Sequence, residues 1–310
     1  MDKKISVVIP AYFEEQVIDV CYTRLTEVLA AYDYDLIFVD DGSGDNTLSM
    51  LKAFAVKDKH VKVISFSKNF GHQAAVTAGL KYAKGDAVVV IDADLQDPPE
   101  LIPDMIAMWQ EGNDVVYAKR KKREGESLFK RITAKAFYRL LQAFSDTRIP
   151  EDTGDFRLMD KKVVKAFNAM GEHNRFIRGM VAWLGFKQVP LEYVREKRYA
   201  GKTKYTLKKM LSLSYNALFS FSITPIKFIK NIGLITLLFA LGVIVYALIA
   251  KGAGDAIPGW TSLMIVTSAL MGVQLLSMGI LGEYIARTYE EARKRPIYLI
   301  NETMNLGDNE

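Results

Sequence analysis

Apolar residues come in short, β-branched runs at Ile5–Ile9, Leu36–Asp40, Val61–Phe66, Ala87–Asp92 and Asp114–Tyr117. Between these runs, apolar positions recur at helical spacing near Glu14–Ala31, Asp45–Val56, Gly71–Ala83 and Pro99–Gln110. Nearly continuous apolar strands alternating with helices predict an α/β domain whose mostly parallel sheet is covered on both faces. Ligands of such sheets bind beyond the C-terminal ends of the strands. Pro10–Glu14, Asp40–Asp45 and Asp92–Asp97 therefore share one rim. The pattern changes at Lys119, where the basic cluster KRKKREGES leads into a helix carrying Lys130, Arg131 and Lys135. A strand at Phe156–Met159, helices near Lys161–Met170 and Arg175–Leu184, and a strand at Phe186–Val194 follow. A second basic segment, REKRYAGKTKYTLKKM, covers Arg195–Met210 and runs into an amphipathic helix at Leu207–Phe221.

The last third reads as if written for another solvent. Ile232–Ala250 has no charged residue over 19 positions, and Thr261–Gly282 has none over 22. At about 1.5 Å per residue each can span a hydrocarbon core of roughly 30 Å. The connecting loop Lys251–Trp260 carries one basic residue, whereas Lys227, Lys230, Arg287, Arg293, Lys294 and Arg295 flank the pair. The positive-inside rule then places both flanks in the cytoplasm and the loop outside. The predicted arrangement is a two-helix hairpin in the cell membrane, multi-pass, with both termini cytoplasmic. Leu207–Phe221 lies on the membrane surface before it, and the neighbouring basic segments face anionic lipid or water.

Composition adds little to the fold but narrows the partners. Of 310 residues half are hydrophobic and a quarter charged, which excludes a disordered chain. A net charge of +5 calls for an anionic partner, with nucleic acid, phospholipid and phosphorylated small molecules all eligible. The single cysteine, Cys21, permits no intrachain disulfide and reads as a core residue. The apolar run at the N-terminus, Ile5–Ile9, is too short for a signal peptide.

The chemistry concentrates at the acidic rim. Asp92 and Asp94 straddle the end of an apolar strand, and Gln96 follows at the same spacing. Unpaired, the two carboxylates repel and one takes up a proton. A divalent cation, Mg²⁺ or Mn²⁺, removes that conflict, since it prefers oxygen ligands and is commonly completed by substrate phosphates. In FVDDGSGDNT a carboxylate can accept hydrogen bonds from a base or a ribose, while Asp45 suits a helix cap. In VVIPAYFEE, Pro10 ends a strand, Tyr12 offers a flat apolar surface and Glu14 an acceptor, a set that suits a nucleoside. No G-x-G-x-x-G or GxxxxGK[ST] occurs, which disfavours dinucleotide and P-loop readings. Asp97, beside Pro98, reads as a cap for the next helix.

VVIPAYFEE, VDDGSGDNT, DADLQDPPE, EDTGDFRLMD and RYAGKTKY stand in the order found in family 2 glycosyltransferases, and the chain resembles the polyprenyl-phosphate subgroup over nearly its whole length. Within it the chain is similar to dolichol-phosphate mannosyltransferase and, more closely, to bacterial bactoprenol glucosyltransferases. The resemblance implies a GT-A fold in residues 1–200, a juxtamembrane segment in 201–230, the membrane helices in 231–283 and a cytosolic tail in 284–310. It implies a nucleotide-sugar donor, with UDP-glucose or UDP-N-acetylglucosamine ahead of GDP-mannose and UDP-aminoarabinose types, and an undecaprenyl or other polyprenyl phosphate acceptor rather than nucleic acid. It implies inverting transfer at the cytosolic membrane face. A homo-oligomer and a separate flippase acting on the product are compatible with it.

Residue by residue, the resemblance assigns Pro10, Tyr12, Glu14 and Asp41 to the nucleotide, and Asp92, Asp94 and Gln96 to the metal–diphosphate site. Asp155 matches a proposed catalytic base. Because a phosphate monoester has a second pKa of about 6, Asp155 is expected to position as much as to deprotonate, by orienting Arg157 or another basic partner. Arg120 and Arg131 match residues near the donor and acceptor phosphates, and Arg198, Lys202 and Lys204 a basic segment that closes over the site. His72 in NFGHQAA is read as structural. Among the rivals, a phosphatase with DxD at a strand end wants Thr where Gln96 stands, a processive synthase wants more membrane helices, and an inactive scaffold need not keep Asp92, Asp94 and Asp155.

Overall fold

A computed structural model describes residues 3–121, 153–194, scattered positions between 229 and 249, and 259–306. The chain falls into two compact units, Met1–Gln142 with Thr147–Leu213 and Pro296–Glu310, and Ala143–Asp146 with Ser214–Arg295. The first unit runs β1 (Ile5–Ala11), α1 (Ile18–Leu29), β2 (Tyr34–Asp40), α2 (Thr47–Lys57), β3 (Val61–Phe66), α3 (His72–Tyr82) and β4 (Ala87–Val90). It continues through a 3₁₀ turn (Pro99–Leu101), α4 (Ile102–Gln110), β5 (Val115–Arg120), β6 (Thr153–Asp160), α5 (Lys161–Ala169), α6 (Ile177–Trp183) and β7 (Gln188–Tyr193).

One sheet, ordered β7-β5-β6-β4-β1-β2-β3-β8, carries the unit, where β8 is Ile300–Met304. The pairs β1–β2, β1–β4, β2–β3 and β5–β7 are parallel, while β6 runs antiparallel to both its neighbours and β8 runs antiparallel to β3. The central strands read as unbroken apolar runs because both faces are covered. In β1, Ile5, Val7 and Ile9 join a core with Leu25 and Leu29 of α1 and Leu51 of α2. Val8 faces the other way and meets α3, where a Cβ on Gly79 would lie 2.1 Å from Val8 Cγ1.

Two strand ends differ from expectation. Pro10 lies inside β1, not at its end. Its missing N–H falls on the β4 side, where the ladder already stops at Val8–Val90, so no sheet hydrogen bond is lost. β4 ends at Val90, so Asp92 stands clear of the sheet.

The C-terminal residues are also more than a tail. β8 closes the β3 edge, Lys52 Nζ lies 2.6 Å from Glu302 Oε1, and Phe66 stacks on Tyr298 at 4.9 Å. Asn305 Nδ2 donates to the carbonyls of Ala55 and Val61 at 2.7 and 2.9 Å. With three polar side chains in β8 and its outward positions exposed, the segment carries only a weak strand pattern, which explains why the sequence did not show it.

In the second unit, α7 spans Trp260–Arg293, eleven residues past the expected end at Gly282. No Gly or Pro interrupts residues 283–293, and Arg287 Nε donates to Glu283 Oε1 across one turn at 2.9 Å. Among the described residues α7 is the one helix long and apolar enough to cross a membrane, over Ala269–Arg293. Its Met271, Leu275, Leu276, Met278 and Leu281 are exposed within the unit. Positions described between 229 and 249 are helical, and Ile235, Leu238, Phe239, Val245 and Ile249 are exposed there as well. Leu207–Phe221 lies outside the described residues.

Because α3 and β1 touch at Gly79, Gly79→Ala must displace Val8 or the helix. Urea unfolding of the detergent-solubilised protein is expected to show a loss of about 1–3 kcal/mol, and an unchanged midpoint would contradict this packing.

Candidate active site

The rim is assembled from loops that tie one another down. After β2, the Asp40 carboxylate accepts from Ser43 N at 3.2 Å and Ser65 Oγ at 3.1 Å, closing the turn at Gly42, whose φ is +68°. Asp41 is buried and accepts from Asn69 Nδ2, Phe70 N and Gly71 N at 2.9, 2.7 and 2.9 Å. Burial raises its pKa against the pull of those backbone N–H groups. Asp41 thus shapes the loop that starts α3, a part that no local sequence signal announces.

Asp45 is not the cap of α2 as expected: Asn46 holds that position without a side-chain cap bond, and Asp45 accepts from Thr47 N at 3.1 Å in the turn before the helix. The loop after β1 is fastened to the same segment, with Phe13 N donating to Ser43 Oγ at 3.0 Å and Glu14 N to Thr47 Oγ1 at 2.9 Å. Phe13 takes a left-handed φ of 56° and meets Tyr12 edge-on at 4.6 Å. Tyr12 is 36% exposed, a flat surface at the rim beside Pro10 and Glu14.

Beyond β4, burial alternates: Ala93 and Leu95 enter the core, while Asp92, Asp94 and Gln96 stay partly exposed on the other side. Leu95 pays for this with a left-handed φ of 56°, costing about 1–2 kcal/mol for a residue with a Cβ. Gln96 N donates to Asp94 Oδ1 at 3.1 Å. Asp92 Oδ1 is buried and has no hydrogen-bond partner. Burial pushes the Asp92 carboxyl up to about 6, with Asp155, Asp97 and Asp94 adding to the rise and His72 opposing it.

Asp155 reaches the same place from β6. The β5–β6 register steps from Tyr117–Arg157 to Lys119–Thr153, and β4 pairing also ends at Arg157. This irregularity leaves Gly154, Asp155 and Phe156 opposite a single β5 residue, a bulge of the kind that re-aims side chains. Asp155 takes Arg178 Nε at 2.7 Å and Nη2 at 3.2 Å, and its Oδ2 lies 3.1 Å from His72 Nε2. His72 Nε2 is also 3.7 Å from Asp92 Oδ1. Burial alone would raise the Asp155 carboxyl, but Arg178 and His72 hold it well below the carboxylate range. Burial alone would depress His72, but Asp92 and Asp155 bring it to about 9.

Two readings change here. His72 is part of the rim, and the basic partner of Asp155 is Arg178 rather than Arg157. Arg157 is buried and donates Nη2 to Gly154 O at 3.0 Å, and burial lowers it to about 10. Arg178 sits in a helix far along the chain from Asp155 in a pattern that sequence reads as an ordinary basic position, so only the fold reveals the pair.

Asp97 also departs from expectation. The 3₁₀ turn that follows has no side-chain cap. Asp97 is 1% exposed and accepts a hydrogen bond from the Tyr193 hydroxyl, which in turn accepts from Arg120 Nε at 3.3 Å. Burial, with Asp97, pushes Tyr193 up to about 12, so its hydroxyl keeps its proton to donate. Arg131, Arg198, Lys202 and Lys204 lie outside the described residues.

The family model described as "Glycosyl transferase family 2" matches residues 6–167, which include β1, the Asp92–Asp94 segment and Asp155. The chain belongs to glycosyltransferase family 2. Its relatives include the "Uncharacterized glycosyltransferase YkcC" of Bacillus subtilis, 48% identical over 97% of this chain and 94% of that one. The "Prophage bactoprenol glucosyl transferase homolog" of Escherichia coli is 42% identical over 96% and 98%. Among solved structures, glucosyl-3-phosphoglycerate synthase from Mycobacterium tuberculosis is similar over 70% of this chain and 78% of that one, at 24% identity and a TM-score of 0.46.

For this family 2 glycosyltransferase, a GT-A-like α/β enzyme, the rim offers an aromatic surface, a carboxylate with an unmet oxygen, and a carboxylate fixed by two cations. Among the described residues no three His, Cys, Asp or Glu side chains converge as a ready-made metal site. Asp92 with its unpartnered oxygen, Asp94 and the Gln96 amide nevertheless fit a hard cation that a diphosphate would complete.

The glycosyltransferase should also show how Asp155 is held. Its lowered pKa stabilises the fold above the unfolded value of about 3.9 and is lost as pH falls through the lower folded value. Arg178→Ala is expected to cost about 3–5 kcal/mol at neutral pH, with the gap to wild type narrowing in acid. Denaturant unfolding of metal-free protein from pH 7 to 3 checks this, and a pH-independent gap would contradict it.

Proposed function

We propose that the enzyme transfers a hexose, with inversion, from UDP-glucose or UDP-N-acetylglucosamine to undecaprenyl or a similar polyprenyl phosphate at the cytosolic membrane face. The observation that carries this reading is the buried Asp92 oxygen that has no hydrogen-bond partner, 3.7 Å from His72 and beside the cation-bound Asp155 at the rim. Relatives matching over nearly their full length and named bactoprenol glucosyl transferases support the acceptor class. GDP-mannose and UDP-aminoarabinose types are the alternative donors, and a panel of donors decides among them.

In this reading Pro10, Tyr12, Glu14 and Asp41 form the nucleotide end, with Tyr12 supplying the flat contact and Asp41 holding the Asn69–Gly71 loop in place. Asp92, Asp94 and Gln96 would hold Mg²⁺ or Mn²⁺. A bound divalent cation neutralises charge that develops on the departing nucleoside diphosphate. Arg120 adds positive charge at the donor diphosphate. Arg131, Arg198, Lys202 and Lys204 complete the phosphate contacts, and Arg157 supports the Gly154 carbonyl next to Asp155.

The acceptor phosphate, with a second pKa of about 6, is already largely ionised at neutral pH. Asp155, saturated by Arg178 and His72, is a weak base. Its role is therefore to fix these two cations against the acceptor phosphate so that attack on the anomeric carbon is in line.

Membrane attachment follows the same reading. Before and after the apolar segments the chain enters one sheet, since β8 pairs with β3. Any crossings therefore come in an even number, which supports pairing α7 with residues 232–250 as a cytosol-facing hairpin. Lys251–Trp260 is then outside, and the soluble domain and C-terminus inside.

Transfer of radiolabelled sugar to polyprenyl phosphate, read by mass of the lipid product, tests the reaction. Asp94→Ala is expected to abolish transfer and to remove the Mn²⁺ dependence of donor binding. Asp155→Asn should lose about 10²-fold or more in kcat, and raising the pH should not restore it. Recovery at high pH would make Asp155 a true base instead. For topology, Gly254→Cys should react with an impermeant thiol reagent in intact cells, and Gly307→Cys only after permeabilisation. Labelling of both from outside would overturn the hairpin.

A further inference from the structure

The Asp97–Tyr193–Arg120 cluster joins Arg120, a proposed donor contact, to two residues with no assigned part. Arg120 is the last residue of β5 and Tyr193 the last of β7, and the two are register partners in the parallel ladder. Asp97 comes from the loop beyond β4. Arg120 Nη2 is 4.0 Å from Asp97 Oδ1, beyond hydrogen-bond reach. The Tyr193 hydroxyl bridges the gap, accepting from Arg120 Nε at 3.3 Å and donating to Asp97. Gly154 leaves room for this, since a Cβ there would lie 3.2 Å from Arg120 Nη2 and 3.5 Å from Asp97 Oδ2.

The two arginines of the rim are held in opposite ways. Arg178 has its fork committed to the Asp155 carboxylate through Nε and Nη2. Arg120 is held at Nε alone, so among the described residues both its terminal nitrogens lack a hydrogen-bond acceptor while its side chain is only 18% exposed. A guanidinium has five N–H donors, and at Arg120, which is only part-buried, the terminal nitrogens can exchange water for an arriving anion. The hydroxyl bridge sets the direction of the side chain without neutralising it by direct contact.

We propose that Tyr193 and Asp97 are positioning residues that aim the Arg120 guanidinium at the donor diphosphate, with Gly154 keeping the space it needs. This rests on the reading that Arg120 faces a phosphate of the donor. Asp97 fixes the Tyr193 hydroxyl, and the hydroxyl fixes the Arg120 fork. Loss of the hydroxyl leaves the charge in place but lets the fork turn.

A double-mutant cycle tests it, with calorimetric binding of UDP in the presence of Mn²⁺ and the hexose-transfer rate as parallel readouts. Arg120→Ala should weaken UDP binding about tenfold or more, the scale of a charge-assisted hydrogen bond. Tyr193→Phe should weaken it severalfold on its own and have no further effect in the Arg120→Ala background. The same coupling should appear in the transfer rate. Should Tyr193→Phe fail to fold, Gly154→Ala keeps every polar partner and displaces the guanidinium, and it should show the same non-additivity. Losses that multiply in the double variant, or coupling seen only in Tm, would overturn the positioning role while leaving the donor reading intact. Wild-type protein that binds no UDP would overturn the donor reading and the positioning role with it.

Discussion

The constraint on which the rest of the structure depends is the crowding of carboxylates at one edge of a buried sheet. Asp41, Asp92, Asp94 and Asp97 lie where β2 and β4 leave the core, and Asp155 where the antiparallel β6 enters it. Burial favours their neutral forms and their mutual repulsion adds to that. Each is answered differently. Asp41 is met by backbone N–H groups of the Asn69–Gly71 loop, Asp155 by Arg178 and His72, and Asp97 by Tyr193 and Arg120. At Asp92, by contrast, a buried oxygen is left without a hydrogen-bond partner. The uneven compensation separates carboxylates that hold the scaffold from Asp92, which the proposed function assigns to a cation.

Rigidity around that edge comes from contacts distant in sequence. Helix α3 packs closely on β1 at Gly79 against Val8, and the loop that starts α3 is held by the Asp41 carboxylate. The bulge in β6 releases Asp155 from the ladder where β4 pairing ends and the β5 register shifts before resuming at Thr153. At the opposite edge β8 covers β3, and Asn305 joins the Val61 carbonyl of β3 to the Ala55 carbonyl of α2. The covered edge removes a pairing surface that a bare strand would offer to other chains.

For a family 2 glycosyltransferase this division of labour is chemically economical. In the proposed reaction the acceptor is already anionic and needs alignment and screening more than deprotonation. The Asp155 network supplies fixed cations, and a carboxylate held so far below its usual range is poorly suited to taking a proton. In the proposed positioning, Arg120 is aimed through the Tyr193 hydroxyl while its Nη2 stays 4.0 Å from the Asp97 carboxylate.

Much of the scaffold, and the candidate rim on which the site is proposed, were legible in the residue pattern. The buried runs and their helical spacers encode the parallel sheet, because strands covered on both faces must be apolar throughout. Asp92, Asp94 and Gln96 announce themselves because i, i+2 spacing at the end of such a strand can place polar groups on one side. The uncharged runs in the last third are readable for the same reason, that composition follows solvent. What only the tertiary structure decided are relations between residues far apart in the chain. Arg178 with Asp155, Tyr193 with Asp97, and β8 on β3 each join segments with no local pattern that names the partner. Even Pro10, read as the end of a strand, sits within β1, because the neighbouring strand stops two residues earlier and no donor is missed. Periodicity records which face of an element is buried, whereas the partner of a buried charge is settled only when the elements meet.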